Sequence, residues 1–432
     1  MIELAIVTLC LSFFILLALG TPVSFSIIFA SFLSLVVHFP SEIASKVVAQ
    51  KMMTALDSFG LLAIPFFILA GNIMNQGGIA LRLIEFAKLV GGRLPGALAH
   101  CNILANMLFG AISGSAVSSV AAVGGIMGPI QKEEGYDPNF SAAVNIASGP
   151  SGLIIPPSGS LILYSLASGG TSVAALFMAG YIPGLLQGLG LMFVAGFISK
   201  RNGYPLAPKK TLREAIQITL AAIPSFLLVF IVIGGIIAGV FTATEASAIA
   251  VIYALVLSLF YQEISLGDLK VILEKTIVTT SIVLFLVGAS TGMSWAMASA
   301  DIPNLIAHTL TSFTESKTLL LLILNLIILV VGTFMDITPA LLIFTPIFLP
   351  VVSKIGIDPV HFGIMLVFNL CIGICTPPVG SALFVGCSIA KVPLTSVIKH
   401  LIPMYVVLFA VLLLLTYIPE LSLWLPTAFE VN

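Results

Sequence analysis

Apolar runs occupy most of the chain, at residues 4–38, 59–75, 94–130, 140–165, 173–198, 216–260, 277–300, 318–352, 362–389 and 398–418. A helix needs about 20 apolar residues to cross a bilayer, so most of these runs read as membrane helices. The first is interrupted at Gly20-Thr21-Pro22. Residues 79–93, IALRLIEFAKLVGGR, differ: apolar positions alternate at helical spacing with Arg82, Glu85, Lys88 and Arg93. That pattern predicts an amphipathic helix, either lying in the membrane interface or connecting two spans. LLLLILNLIILVV (319–331) and ALLIFTPIFLPVV (340–352) flank GTFMDITP (332–339), and each apolar arm has 13 residues. At 1.5 Å per residue an arm is about 20 Å long, short of the roughly 30 Å hydrocarbon core. The pair predicts a helical hairpin over about 318–352 that enters and leaves on one side. Residues 100–112 and 116–130, around the tip SGSA (113–116), predict another over about 100–130.

Two further runs break their own helix. IIPPSGSLIL (154–163) and TPPVGSA (376–382) each hold adjacent prolines in apolar surroundings. Proline removes a backbone donor and interrupts a helix, and an unpaired backbone group in hydrocarbon is costly. Such a break is tolerated where it lines a polar cavity. Broken helices are therefore expected over about 140–165 and 362–389. The two are related, because Pro377 follows Pro156 by 221 residues (377 − 156). The same offset pairs Thr21 with Thr242, Gly71 with Gly292, Pro129 with Pro350, Asp137-Pro138 with Asp358-Pro359, and Gly152 with Gly373. A shared register of helix-breaking residues predicts two structural repeats, residues 1–198 and 216–432, joined by a basic linker, 199–215.

Composition and charge sharpen this picture. The chain has 432 residues, 59% hydrophobic and only 8% charged, against about 25% charged in soluble domains. That excludes a water-soluble globule and predicts an all-α polytopic membrane protein. A net charge of −1 argues against nucleic acid as a partner. MIELAIVTLC lacks the basic start of a cleaved signal peptide, so the first run is expected to be retained. SKRNGYPLAPKKTLR (199–213) carries five basic residues and no acid, which places it in the cytoplasm by the positive-inside rule. The tail after Tyr417 holds Glu420 and Glu430 and no base, and is expected on the opposite side. The second repeat then crosses an odd number of times, as does the first. Both termini fall outside and the repeats are inverted, a signature of secondary transporters. Cys10, Cys101, Cys371, Cys375 and Cys387 all lie in apolar surroundings and read as small buried residues.

Each repeat supplies a hairpin tip and a broken helix, and their freed groups suit small ions. Ser113, Ser115 and the carbonyls near Gly152, Ile155 and Pro156 are hard oxygen donors for one cation site. Gly332, Thr333, Asp336, Gly373 and Thr376 form the second candidate site, with Asp336 at the place of Ser115 and Thr376 at that of Ile155. Neutral oxygens without soft ligands suit sodium better than a transition metal. Asp336, an acid between apolar arms, is the sharpest signal, since ionisable groups inside membranes are expensive. Asn145, Ser148, Ser158, Ser160, Pro377, Gly380 and Ser381 are candidates for the substrate cavity. With no arginine in a deep apolar stretch, an anion would rely on half-helix N-termini, bound sodium and hydroxyls. No cofactor is expected besides Na+ as coupling ion.

Seven stretches give the pattern a family. They are IPFFILAGNIM (64–74), FGAISGSAVSSVAAVGG (109–125), GLIIPPSGSLILYSLASG (152–169), LFMAGYIPGL (176–185), GVFTATEASAIA (239–250), GTFMDITPALLIFTPIFLP (332–350) and TPPVGSALFVG (376–386). Together they resemble the large membrane subunit of tripartite ATP-independent periplasmic (TRAP) transporters. The resemblance implies an elevator-type ion-transporter fold in the bacterial inner membrane. It implies sodium-coupled import of an organic acid: sialic acid or another sugar acid, or a C4-dicarboxylate. A periplasmic solute-binding protein would deliver the substrate, and a separate small four-helix membrane subunit would complete the complex. The family's sodium-site pattern falls on Ser113, Ser115, Gly152, Ile155 and Pro156, and on Gly332, Thr333, Asp336 and Thr376. The tip SGSAVSS looks closer to the sialic acid and sugar-acid members. Ala243 in GVFTATEA departs from the proline of many members. The alternative is an inverted-repeat anion/sodium transporter acting without a binding protein. An intramembrane protease would need a deep acidic partner for Asp336 or a Ser–His pair. A channel would need a continuous pore, which hairpin tips interrupt.

Overall fold

The computed structural model describes residues 2–92, 95–206, 211–314 and 316–431, and among them every regular element is helical. Arg93, Lys209 and Lys210 of the charged segments lie outside the described residues. The first half runs Ile2–Ala18, Val23–Val36, Ser41–Leu56, a 3-10 turn Phe59–Leu62, Ala63–Gln76 and the amphipathic helix Ile79–Gly91. Hairpin one follows (Ala97–Ser113 and Ala116–Glu133), then broken helix one (Pro138–Ser148, a 3-10 turn Gly149–Leu153, and Gly159–Ala167), then the 30-residue helix Val173–Asn202. The second half runs Leu212–Ile237, Ala243–Phe260, Leu266–Ser299 and Ile302–Phe313. Hairpin two (Lys317–Phe334 and Ile337–Lys354), broken helix two (Pro359–Gly373 and Ser381–Ala390), Leu394–Tyr417 and a short Glu420–Ala428 complete it. Adding 221 to Ala116, Pro138 and Val173 gives Ile337, Pro359 and Leu394, each a helix start. Both Pro-Pro bonds, Pro156-Pro157 and Pro377-Pro378, are cis.

Three features differ from expectation. Each arm of hairpin two is an 18-residue helix, about 27 Å long. The helices continue through Gly332-Thr333-Phe334 at one end and Ser353-Lys354 at the other. Both arms count among the eight described helices long and apolar enough to cross a membrane. Length alone therefore does not mark the hairpin. What marks it is a reversal through just Met335 and Asp336. The run 216–260 is split at Ala238–Thr242, because Thr242 and Glu245 form a reciprocal capping box that starts a new helix. The third difference breaks the repeat. Ser41–Leu56 and Ala63–Gln76 are separate, yet their counterparts are fused into the 34-residue helix Leu266–Ser299. Asp57-Ser58-Phe59-Gly60 interrupts the first half, whereas the matching Val278-Thr279-Thr280-Ser281 contains no glycine.

The halves exchange partners. Ala63–Gln76 packs on Ala243–Phe260 of the other half, and Leu266–Ser299 packs on Val23–Val36. The second arm of hairpin one packs on Ser381–Ala390, and the second arm of hairpin two on Gly159–Ala167. They are also upside down relative to each other. The Asp137 N–H donates to Tyr204 Oη at 3.1 Å, beside the basic Lys200-Arg201. The helix Leu394–Tyr417 starts there, with Ser396 Oγ 2.6 Å from Asn139 Oδ1. It ends about 36 Å away, where Tyr417 Oη donates to Thr318 O at 3.2 Å. Lys317 reaches Gly356 O at that far end, and so Asp358 lies at the end opposite Asp137. Glu420–Ala428 docks at the Asp358 end, with Ser422 Oγ 2.7 Å from His361 Nδ1. The amphipathic helix Ile79–Gly91 buries Leu83, Ile84 and Ala87 against hairpin one and Leu212–Ile237. Its Arg82 stacks 3.5 Å over the Tyr261 ring.

Hairpins and breaks meet backbone to backbone. A Cβ on Gly110 would lie 2.7 Å from Cα of Gly152, and one on Gly152 would fall within the Gly110 backbone. In the second half a Cβ on Gly373 would lie 2.5 Å from the carbonyl carbon of Gly332. No side chain fits at these crossings without driving a hairpin off its broken helix. Gly152→Val is expected to lower the thermal midpoint of the purified protein, a loss of about 1–3 kcal/mol or more. Gly128→Ala, where a Cβ meets nothing within 4 Å, should stay within about 1 kcal/mol of the parent. Detergent melting curves of the two variants check the contrast.

Candidate functional site

Three helix N-termini, at Ala116, Gly159 and Ile337, line one cavity of about 550 Å³, and a fourth, at Ser381, stands behind Asp336. Hairpin one turns at Ser113-Gly114-Ser115, with Gly114 at φ 61°, a left-handed conformation that glycine adopts freely. Ser115 caps the second arm by accepting from Ser118 N at 3.3 Å. Ser158 caps Gly159–Ala167 by accepting from Leu161 N, while its hydroxyl donates to Leu153 O. These two N-termini are neighbours, since a Cβ on Gly114 would lie 3.7 Å from Gly159 N. In the second half Asp336 stands at the N-cap of Ile337–Lys354, and Ser381 opens Ser381–Ala390. Ser381 Oγ donates to Asp336 Oδ1 at 3.3 Å, and Gly380 N donates to Thr333 O at 3.2 Å.

The cavity lining joins both tips and the first break. It includes Ser113, Ser115, Ser118, Pro157, Gly159, Ser160, Asp336 and Thr338. The opposite wall comes from helices outside the hairpins: Ser24, Phe67, Asn72, Thr279 and Ile282. Asp336 is exposed onto this space and is the one ionisable side chain in the described lining. Three N-termini, each worth roughly half a positive charge, face it with no basic side chain in the described lining. Such a field favours an anion, and the hydroxyls and Asp336 can hold a cation beside it.

The other expected residues occupy distinct places. Gly152 lies behind Gly110, and Gly373 behind Gly332, where they set the distance from hairpin to break. Ile155 packs against Gly184, and Pro156 is buried beside the lining residue Pro157. The Thr376 hydroxyl donates to Ile372 O at 2.7 Å and that of Thr333 to Val330 O at 2.7 Å. Both hydroxyls thus brace their own helices and keep lone pairs for a ligand. Pro377, Gly380 and Ser381 surround the second break next to Asp336, outside the described lining. Asn145 and Ser148 were expected to face the cavity, and here the structure differs. Both are buried in a network in which Asn106 Nδ2 donates to Asn145 Oδ1 at 3.0 Å and to Ser148 Oγ at 2.8 Å. Asn102 and Ser119 join them, and Asn145 Nδ2 reaches Val120 O at 2.8 Å. The network holds hairpin one to its broken helix. Asn325 and Asn369 do the same in the second half, at 2.8 Å. Ser158 is likewise taken up by its own capping bonds.

Sequence reasoning passed over Ser24, Asn72, Thr279 and Thr338. Asn72 had a visible signal, as the first polar side chain in Ala63–Gln76 after a run of apolar residues. The others are small hydroxyls that no pattern separates from helix-packing residues.

A family model described as "Tripartite ATP-independent periplasmic transporter, DctM component" matches residues 10–421. The chain is 61% identical over 424 residues to the protein YgiK of Salmonella typhimurium, covering 98% of each. It is 39% identical over 415 residues to the sialic acid TRAP transporter large permease protein SiaM of Vibrio cholerae, covering 96% of each. It is 38% identical over 395 residues to the C4-dicarboxylate TRAP transporter large permease protein DctM of Pseudomonas aeruginosa, covering 91% of this chain and 92% of that one. Among solved structures, the YdaH transporter of Alcanivorax borkumensis matches with a TM-score of 0.64 over 89% of each chain at 15% identity, a likeness of fold.

The buried amide network and the cavity lining should respond differently to mutation. Asn106→Leu strips donors from Asn145 and Ser148 and is expected to cost about 2–3 kcal/mol. Ser113→Ala removes one 3.4 Å bond to Ser115 O and should cost under about 0.5 kcal/mol in sodium-free buffer. Melting curves in potassium chloride measure both.

Proposed function

We propose that this chain, which belongs to the DctM-component family of TRAP transporters, couples sodium entry to import of a hydroxylated organic acid by an elevator movement. As a TRAP large permease it is a multi-pass inner-membrane protein of secondary organic-acid transport. Its family works with a small membrane subunit and a periplasmic binding protein, and is a family of permeases rather than enzymes. The observation that carries the finer reading is the cavity itself: three helix N-termini, a ring of hydroxyls and one carboxylate, with no basic side chain in the described lining. An anion there is held by dipoles and hydroxyls, and a second negative group, Asp336, calls for cations to enter with it.

In this reading Ser113 and Ser115, with carbonyls near Gly152, Ile155 and Pro156, hold one sodium. Asp336, Thr333 and Thr376, with carbonyls near Gly332 and Gly373, hold another. Ser160 and the neighbouring N-termini take the acid, with Pro377, Gly380 and Ser381 shaping the second break around it. The hydroxyl-rich lining favours a sugar acid, sialic acid included, over a C4-dicarboxylate. Relatives named for sialic acid and for C4-dicarboxylates are about equally similar, at 39% and 38%. The basic end bearing Lys200 and Arg201 faces the cytoplasm, and residues 2–5 and 420–428 face the periplasm. Transport without a binding protein is the competing mode.

Asp336→Asn is expected to insert and fold, yet lose roughly tenfold or more of its sodium-driven uptake. A lost charge-assisted contact is worth about 1.5–3 kcal/mol. The assay is uptake into proteoliposomes carrying both membrane subunits, with binding protein outside and an imposed sodium gradient. Sodium dependence equal to that of the parent would remove Asp336 from the site. Uptake of free acid without any binding protein would favour the competing mode.

A further inference from the structure

We propose that Asn72 is a specificity-determining residue whose side-chain oxygen accepts a hydrogen bond from a hydroxyl of the transported acid. This rests on reading the cavity as the substrate site. Asn72 lies on Ala63–Gln76, outside both hairpins and both breaks, and it lines the cavity opposite the hairpin tips. Its amide orientation follows from its neighbour. The Thr276 hydroxyl donates to Ile272 O at 2.8 Å, so only its lone pairs remain to receive another bond. Asn72 Nδ2, 2.9 Å away, must therefore be the donor between them. With the amide pinned this way, Oδ1 points away from Thr276, and among the described residues no donor reaches it. Thr276 is itself buried and outside the lining, so it acts only by holding Asn72.

The consequence is a rule of selection. An acceptor on the wall facing the helix N-termini at Ala116, Gly159 and Ile337 repels a second carboxylate and attracts a hydroxyl or an amide N–H. The acid then lies with its carboxylate toward the tips and a hydroxyl toward Asn72. Unhydroxylated acids leave Oδ1 desolvated and unpaired, which is the stronger source of discrimination.

The test compares gluconate with hexanoate as probes, which share a six-carbon monocarboxylate chain and differ in hydroxyls. Binding is read as thermal stabilisation of the complex of both membrane subunits in sodium buffer, without binding protein. In the parent, gluconate should half-saturate at a lower concentration than hexanoate. Asn72→Leu should raise the gluconate value roughly fivefold and leave that of hexanoate in place. Thr276→Val should move gluconate in the same direction, and Thr276→Ser should restore it. A purely structural role would shift both acids together. If the parent discriminates while Asn72→Leu and Thr276→Val retain its ratio, the assignment to Asn72 is overturned and the transport reading stands. A parent complex that gluconate stabilises no better than hexanoate overturns the selection rule, and the transport reading is then decided separately by the sodium-driven uptake assay.

Discussion

Backbone groups freed inside an apolar slab have to find partners within the protein, and this constraint organises the molecule. Water is not at hand to satisfy them, and each orphan costs several kcal/mol. Both breaks meet the demand locally. In the first, Ser158 returns to the Leu153 carbonyl. In the second, the Tyr405 hydroxyl takes the Cys375 carbonyl, and Ala382 N takes that of Ile374. The hairpins contribute too, since Gly380 N ends on Thr333 O. Hairpin and break can share bonds only if their backbones nearly touch, which is why glycine faces glycine at 110/152 and 332/373. The N-termini, the hydroxyls and the cavity are arranged by those contacts.

The two halves solve this problem with one geometry and different chemistry. Ser115 and Asp336 hold the same register, as do Ile155 and Thr376, and Ser148 and Asn369. The starts of the second hairpin arms, the broken helices and the helices after them coincide across the offset of 221 (377 − 156), so at the tips and breaks the halves differ chiefly in side chains. One half-site is neutral and the other carries a full charge. In a low-dielectric setting an added unit charge changes cation affinity far more than an added hydroxyl does. Under the proposed reading, the two halves would therefore hold a cation with unequal strength. The cross-half thiol contacts, Cys371 Sγ to Pro150 O and Cys375 Sγ to Ile146 O, tie the two broken helices back to back.

The sequence disclosed what is written in helix-breaking residues. Pro156-Pro157, Pro377-Pro378 and the tips around Gly114 and Asp336 are conspicuous because proline, glycine and acid are costly in apolar helices. Their shared register revealed the repeat, and the position of Lys200-Arg201 its inversion. What stayed hidden depends on pairing across space. Asn145 and Ser148 look like cavity residues in one dimension. Only the approach of Asn106, 39 positions before Asn145, turns them inward. Hairpin length was misjudged because the arms continue through Thr333 and Lys354, polar residues that end an apolar run without ending a helix. The fusion of Leu266–Ser299 escaped notice because a missing Gly60 counterpart is an absence of a signal. Asn72 carried a signal but no partner, since Thr276 lies 204 positions away.

The proposed movement is also intelligible from what the cavity walls lack. Between the hairpin body and the outer helices, the lining meets mostly as apolar surface: Val117, Ile162, Leu163 and Ile337 on one side, Ile64, Phe67, Ile282, Val283 and Leu286 on the other. Apolar contact has no preferred direction, so one face can slide past another without breaking a fixed set of bonds. The directional bonds nearest the cavity lie within each wall, and Lys354 Nζ reaches Asn304 Oδ1 at 2.8 Å away from it. Asn106 to Asn145 and Ser381 to Asp336 stay inside the hairpin body, and Asn72 to Thr276 stays inside the outer one. The ion pair of Arg82 with Glu263 lies outside the cavity and fastens the amphipathic helix, which also packs on hairpin one, to the outer helices. A substrate that fills the space between the bodies adds the polar links that the protein leaves out. In the proposed elevator the loaded hairpin body must then exchange its polar link to the outer wall for internal ones before it passes, and the apolar faces let it do so without breaking bonds of the protein's own.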